Sequence, residues 1–339
     1  MSHQVVTFGE YMMRLATPGH ERFAQAHHLD ITFGGGEANV ATSLALCGVD
    51  SAFVTRLPDN DWGTRAINNL RGHGVDTRHI ARGGRRIGVY FLESGAGLRA
   101  SRVIYDRADS AICDLAEGEI NWDAVFDGVT WFHWTGITPA LSAKAAAVTK
   151  VACEAAKRAG CTVSVDLNYR KNLWTKAEAQ AAMTELMPYV DVCIANEEDA
   201  ESVFAIKGAD VETGEIDRVR YIDVARQLTE KFGFDKVAIT LRESISASRN
   251  GWSAMLYTDD DAVFSKRYDL DIVDRVGGGD SFAAGLIYGQ LHGFDPQRSI
   301  EWAVAASALK HTIPGDANLV GVEEIARLAS GDASGRVQR

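Results

Sequence analysis

Strand-like apolar runs alternate with helical runs along most of the 339 residues, and this alternation most limits what the chain can fold into. Parallel strands cannot be joined by a tight turn; each needs a crossover, which a helix supplies. Residues 5–8, 52–55, 129–134, 162–166, 192–195 and 236–240 read as strands, and 38–47, 64–73, 143–159, 176–187, 197–204 and 222–232 as helices. The predicted class is therefore α/β, built of βαβ units on a largely parallel sheet. Residues 252–258 and 262–267 read as an antiparallel hairpin, with Asp259, Asp260 and Asp261 as a solvated turn rather than a metal site. Two segments, 12–33 and 87–105, carry short alternating strand patterns without a helix. They are expected to form a small sheet that covers the strand ends as a lid. No Pro- or Ser-rich linker divides the chain, so 1–330 is read as a single domain and 331–339 as a polar tail.

The run from Asp274 through Val276, Gly277, Gly278, Gly279 and Asp280 leads directly into the apolar, small-residue segment 281–290. Three successive residues without Cβ atoms let backbone N–H groups share one concavity, and the helix that follows turns its positive end toward it. Such a cradle suits an anion. Asp280 stands at its lip, where a base would meet an attacking hydroxyl. A carboxylate at a helix N-terminus is expected to stay ionised at neutral pH. A well-capped turn with no ligand would also use Asp and Ser here. A second glycine run, Gly34-Gly35-Gly36 before Glu37, Ala38 and Asn39, also opens a helix far upstream and favours the functional reading. Neither run matches a Walker loop or a Gly-x-Gly-x-x-Gly dinucleotide fingerprint.

A net charge of −11 argues against a nucleic-acid partner or an anionic membrane surface. No apolar run reaches the length of a spanning helix, and the N-terminus lacks a signal-peptide pattern, so a cytoplasmic enzyme is expected. The five cysteines are scattered without a Cys-x-x-Cys pair and read as reduced thiols. His133, inside an apolar strand, reads as a structural histidine, and His27-His28 as loop residues.

These residues resemble the ribokinase-like, PfkB-type carbohydrate kinases. That family carries an early Gly-Gly-x-x-x-Asn element, here Gly35 to Asn39, and a late Asp-x-x-Gly-x-Gly-Asp element, here Asp274 to Asp280. The likeness runs from Val5 to about Leu328, and it implies a three-layer α/β/α domain with a β-lid. Within the family, Phe8-Gly9-Glu10, the string Tyr105-Asp106-Arg107-Ala108-Asp109-Ser110-Ala111, Asp166-Leu167-Asn168-Tyr169-Arg170 and the stretch from His311 to Asp316 resemble kinases of 2-keto-3-deoxygluconate. Three positions depart from the pattern. Gly278 replaces an alanine, the acidic motif Asn196-Glu197-Glu198-Asp199 ends in a shorter carboxylate, and Arg242 follows Thr240-Leu241 where a glycine is usual.

The resemblance implies ATP-dependent phosphorylation of a sugar-acid hydroxyl at C6, with Asp280 as base and the N–H groups of Gly277, Gly278 and Gly279 on the transferring phosphoryl. Gly34, Gly35, Asn39, Tyr90, Tyr105, Arg107, Asn168, Arg170 and Asp280 would contact the sugar, with Arg107 or Arg170 on its carboxylate. Asn196, Thr240, Arg242, Gly277 and Gly279 would contact ATP. Asn196 and Asp199 would hold Mg²⁺ through water, and Asp274 matches a position that binds a monovalent cation, K⁺ in some relatives. Asp316 is assigned to ordering the substrate or the C-terminal turn. Pairing of lids implies a homo-oligomer. The rival readings are a kinase of a neutral sugar such as fructose or ribose, or of a nucleoside; a silent sugar-acid binding protein; and a dinucleotide-dependent dehydrogenase. The Arg107–Ser110–Ala111 string argues against the first, the presence of Asp280 against the second, and the missing fingerprint after the first strand against the third.

Overall fold

The computed structural model describes residues 4–196, 198–207 and 218–332. Residue 197, the predicted start of the 197–204 helix, and the tail beyond 332 lie outside the described residues.

Six strands form a parallel core in the order Lys236–Ser244, Val192–Asn196, Thr162–Asp166, Trp131–Thr135, Val5–Phe8 and Ser51–Val54. Beyond Lys236–Ser244, Arg249–Thr258 pairs antiparallel with it, and Asp261–Phe264 and Tyr268–Asp271 pair antiparallel with Arg249–Thr258. The chain leaves Val5–Phe8 toward Ser51–Val54 on one side and resumes at Trp131–Thr135 on the other. This reversal opens a crevice beyond the carboxyl ends of the strands.

Both faces of the sheet are covered, which explains why its strands are apolar nearly throughout. Val6, Phe8, Phe132, Trp134, Cys193 and Val237 join one core cluster, under the helices Ala143–Arg158, Lys176–Leu186 and Arg218–Phe232. Val5, Trp131, Val192, Ile194 and Ala238 join the opposite one, with Gly36–Leu46, Gly278–Leu291 and Pro296–Lys310. Alternate residues of a strand thus reach opposite layers, as the pleat requires. The α/β class and the three layers follow.

The two irregular segments do form a separate four-stranded sheet, in the order Asp30–Gly34, Met12–Ala16, Gly88–Glu93 and Arg102–Asp106. Arg14, Tyr90 and Tyr105 stand in register on its inner face, while Ile31, Leu15, Phe91 and Ile104 are in register on the outer face.

Several boundaries shift. The late helix begins at Gly278 rather than 281, and the strand predicted over 236–240 runs on to Ser244 because Arg249–Thr258 pairs with its whole length. Tyr268–Asp271 and the pair Arg56–Leu57 with Ala81–Arg82 were not foreseen; strands this short carry no readable period. The acidic triplet is the expected turn, with Asp259 and Asp260 both in the left-handed region and Thr258 paired to Asp261. All five cysteines are free. His133 is fully buried, bonded through Nδ1 to Ser164 Oγ at 2.8 Å, and burial lowers its pKa to about 3. No helix among the described residues is long and apolar enough to cross a membrane.

Candidate active site

A cavity of about 470 Å³ lies between the carboxyl ends of the parallel strands and the inner face of the small sheet. Each wall comes from a different part of the chain. Gly35, Gly36 and Asn39 open the Gly36–Leu46 helix, Asp166, Asn168, Tyr169 and Arg170 come from the end of Thr162–Asp166, Asn196 ends the next strand, and Thr240 lies midway along Lys236–Ser244. Gly277 to Asp280 open the late helix, and Tyr90, Tyr105 and Arg107 come down from the small sheet. The two glycine runs meet here: Asn39 Nδ2 donates to Asp280 Oδ2 at 2.6 Å, across 241 residues of sequence.

Local chemistry explains the turn. Gly277 caps the late helix at φ +84°, a left-handed conformation that costs other residues dearly, and a Cβ there would strike the carbonyl of Asp316. Gly279 has nothing within 4 Å of where its Cβ would stand, so its face of the turn is open. Gly34 lies outside the cavity wall, its bare α-carbon pressed against the carboxylate of Asp316.

Asp280 departs from expectation in one respect. The helix terminus does not dominate; burial raises its carboxyl to about 6, with Asn39, Arg170 and Lys310 holding it from rising further. Asp166 is pushed well above the ordinary carboxylate range, by burial first and then by repulsion from Asp199 and Asp280. Against these acids stand the cations Arg170, Arg242 and Arg275. All three line the cavity, and none has a carboxylate in ion-pairing distance among the described residues. Arg170 Nη1 donates to Tyr169 O at 3.0 Å, and Arg275 Nη2 to Ala247 O at 2.9 Å.

Arg107 is less free than the sequence implied. Its guanidinium is held by Glu10 Oε2, with Nε at 2.8 Å, and it lies 5.2 Å from the centre of the Tyr105 ring. Ser110 Oγ donates to the other oxygen of Glu10 at 2.6 Å. The Arg-x-x-Ser string thus serves Glu10 on one side and reaches the cavity with the rest of the guanidinium.

Asp199 is also engaged. Its carboxylate accepts from Asn196 N and Tyr169 N, both at 3.1 Å, while Asn196 Oδ1 accepts from Glu198 N at 2.8 Å and Asp199 N at 3.1 Å. The pair ties the strand end to the short helix Asp199–Phe204. Glu198, not singled out from the sequence, presents a carboxylate to the same cavity. Among the described residues no group of three or more His, Cys, Asp or Glu could hold a metal directly.

Asp274 is saturated. Oδ1 accepts from Val276 N at 3.1 Å, and Oδ2 accepts from Arg14 Nη2 at 2.5 Å and Gly315 N at 3.0 Å. Arg14 Nη1 donates to Asp316 Oδ1 at 2.7 Å, and Tyr90 Oη donates to the same carboxylate at 2.6 Å. Arg14 and Glu10 were missed. An arginine in phase with the buried Met12 on a short strand was the available signal for the first.

Because the folded value of Asp280 lies above the 3.8 of a free carboxyl, its charged form opposes folding. That cost is absent below both values and grows as pH rises through 6. Asp280→Asn keeps an oxygen for Asn39. It should therefore stabilise the ligand-free protein by about 1–3 kcal/mol near pH 8, by about half as much near pH 5, and by much less near pH 4, in denaturant melts. Equal effects at all three pH values would show that the carboxylate is not strained.

The family model of the pfkB carbohydrate kinases matches residues 2–320. The solved structure of a 2-dehydro-3-deoxygluconokinase from Thermotoga maritima superposes with a TM-score of 0.94 at 52% identity, covering 96% of this chain and 99% of that one. The 2-dehydro-3-deoxygalactonokinase of Haloferax volcanii is 34% identical over 335 residues, 99% of each chain. The 2-dehydro-3-deoxygluconokinase of Thermoproteus tenax is 28% identical over 320 residues, 92% of this chain and 89% of that one. With the match running nearly end to end, and the two glycine runs meeting at one buried aspartate, the chain belongs to the PfkB family of carbohydrate kinases and is a sugar kinase.

Proposed function

We propose that the chain transfers the γ-phosphoryl group of ATP to the C6 hydroxyl of 2-keto-3-deoxygluconate, giving the 6-phosphate, as a single domain with the small sheet as its lid. The contact of Asn39 with Asp280 carries this reading. It sets the base beside an open anion turn, in a cavity that also holds unpaired arginines. The names of the Thermotoga and Thermoproteus relatives support the substrate class.

As the C6 oxygen bonds to phosphorus and the bond to the bridging oxygen of ATP breaks, the hydroxyl proton passes to Asp280. A carboxylate is too weak a base to ionise an alcohol beforehand, but it can take the proton as the new bond forms. The N–H groups of Gly277, Gly278 and Gly279 and the positive end of their helix stabilise the charge on the phosphoryl oxygens. Thr240, Arg242 and Asn196 line the nucleotide side, with Arg242 replacing backbone contacts that a glycine would make. The oxygen donors Asp166, Asn196 and Glu198, with no direct three-ligand cage, fit a magnesium ion that keeps most of its water. Magnesium, when bound, neutralises charge on the ATP phosphates. Asp199 acts behind Asn196, by fixing the strand end that bears it.

At the sugar carboxylate, Arg170 is the free cation and Arg107 the braced one. Arg107→Ala would leave Glu10 buried without its partner, at a cost of about 3 kcal/mol or more, so Arg170 gives the cleaner test. Arg170→Gln should raise the KM for 2-keto-3-deoxygluconate about thirtyfold or more, with a much smaller change for ATP. The deciding experiment is ATP turnover on a panel of 2-keto-3-deoxygluconate, its C4 epimer, fructose, ribose and a nucleoside. The sugar acids should be fastest; faster turnover of a neutral ketose would overturn the substrate assignment.

Turnover should require ionised Asp280, so log kcat/KM should fall with unit slope below about pH 6. The hydrogen bond from Asn39 favours the charged form, so Asn39→Leu should move that limb upward in pH. Asp280→Asn should abolish most turnover at every pH. An acidic limb unchanged by Asn39→Leu would remove Asp280 as its source.

We also assign the outer face of the small sheet, with its row Ile31, Leu15, Phe91 and Ile104, to pairing with a second copy. Sedimentation at micromolar concentration should show a dimer that Ile104→Asp dissociates; a monomeric wild type would refute the assignment.

A further inference from the structure

Lys310 is the last residue of the Pro296–Lys310 helix, and its side chain is fully buried, with 0% exposure. A buried ammonium needs partners. It donates to two main-chain carbonyls, Ile313 O at 3.0 Å and Asp274 O at 3.4 Å. Asp274 begins the glycine turn, and Ile313 belongs to the bend that closes underneath it. The same two segments are tied by three further bonds, each from a main-chain N–H. Val273 N and Asp274 N donate to His311 O at 2.8 and 3.2 Å, and Gly315 N donates to Asp274 Oδ2 at 3.0 Å. Ser307 Oγ adds a bond to Gly278 O at 2.7 Å. The lysine stem fills the space below the turn, so that a Cβ on Gly277 would stand 3.3 Å from Lys310 Cε.

Burial, with repulsion from Arg14, lowers the pKa of Lys310 from its ordinary value, while Asp274, Asp316 and Asp280 pull the other way and favour its charge. The end of a helix, where carbonyls are left over, is also a favourable place for a cation. Each carbonyl aimed at Nζ fixes the rotation of its peptide plane. In a turn whose task is to aim N–H groups at an anion, peptide rotation is what must be fixed.

We propose that Lys310 is a built-in cation that positions the phosphate-binding turn from beneath, so that this place needs no added monovalent ion. The inference rests on the kinase reading above and names a positioning residue for it; Lys310 does not line the cavity. It also gives the unforeseen partner of Asp274, whose carbonyl and carboxylate are both taken by side chains or N–H groups of the chain itself.

The test measures initial rates in a choline buffer at constant ionic strength, with potassium or ammonium titrated in. Wild-type kcat should stay within about twofold, since its cation is covalently attached. Lys310→Ala should lose about 10- to 100-fold in kcat, the scale found for groups that orient a binding shell, with the KM for sugar nearly unchanged. Ammonium or potassium should restore part of that rate by entering the vacated space. Lys310→Met, which fills the space without charge, should lose as much and not be rescued. Strong activation of the wild type by potassium would overturn the proposal, as would a Lys310→Met enzyme with normal kcat or a Lys310→Ala enzyme deaf to both cations. If neither variant folds, judged by thermal melts, the wild-type titration decides alone. A wild type that prefers a neutral ketose would refute the substrate assignment but not this one, because every arm can be read on whichever sugar is accepted.

Discussion

One hydrogen bond, from Asn39 to Asp280, states the constraint under which the rest of the molecule is built. It requires two helices from opposite ends of the sequence, Gly36–Leu46 and Gly278–Leu291, to begin at the same point in space. Both lie on one face of the sheet and share its core cluster through Val40, Leu44, Phe282, Ala283 and Leu286. Small residues on the late helix let Pro296–Lys310 pack close against its other side: a Cβ at Gly285 would crowd the backbone of Ala303. The parallel sheet contributes the rest, since only its carboxyl edge at the strand reversal gathers loops from so many crossovers. The site follows from the topology, and the glycine turns follow from what the site must hold.

Charge balance is the second organising fact. The chain is acidic, with 46 Asp and Glu against 35 Lys and Arg, yet the cavity must receive anions. The structure meets this by dividing its cations into two sets. Arg14 and Lys310 are buried and fully engaged, bracing Asp274, Asp316 and the turn between them. Arg170, Arg242 and Arg275 remain at the cavity wall without carboxylate partners among the described residues. Burial lowers the pKa of Arg275, with repulsion from Arg242 adding to it, as befits cations grouped to await an anion. Arg107, paired with Glu10, belongs partly to each set.

The division also explains what the sequence revealed. Glycine turns are local: three residues without Cβ before a small-residue helix announce a cradle wherever they fold, and both were found with Asp280 and Asn39 attached. The segments of the small sheet were visible because a period of two without a following helix is a local pattern. Arg14, Glu10 and Lys310 were not read as site residues, because a buried charge takes its meaning from its partners. Those of Arg14 lie 260 and 302 positions away. The same reason limited the reading of Asp280. A helix N-terminus seen in sequence predicts only that the carboxylate is ionised at neutral pH, which a value of about 6 still allows; the desolvation that raises it is invisible until the cavity is assembled. Asp199, expected to hold magnesium through water, has its two oxygens taken by Asn196 N and, from another loop, Tyr169 N, partners that its local sequence does not announce.

That raised value joins stability to function in a single group. A base matched to neutral pH is more useful than one that is fully ionised at pH 4, because its affinity for the arriving proton is greater. The fold raises it chiefly by withdrawing the carboxylate from water, with repulsion from Asp316 adding to the rise, and doing so weakens the ligand-free protein. Asn39, Arg170 and Lys310 each limit the rise, so the final value records a balance of burial and Asp316 repulsion against one hydrogen bond and two cations. The two cations have other duties, Arg170 at the cavity wall and Lys310 beneath the turn. Charge at the cavity wall and beneath the turn therefore also sets the basicity of Asp280, the base proposed above, so no one of these side chains can be altered without shifting both.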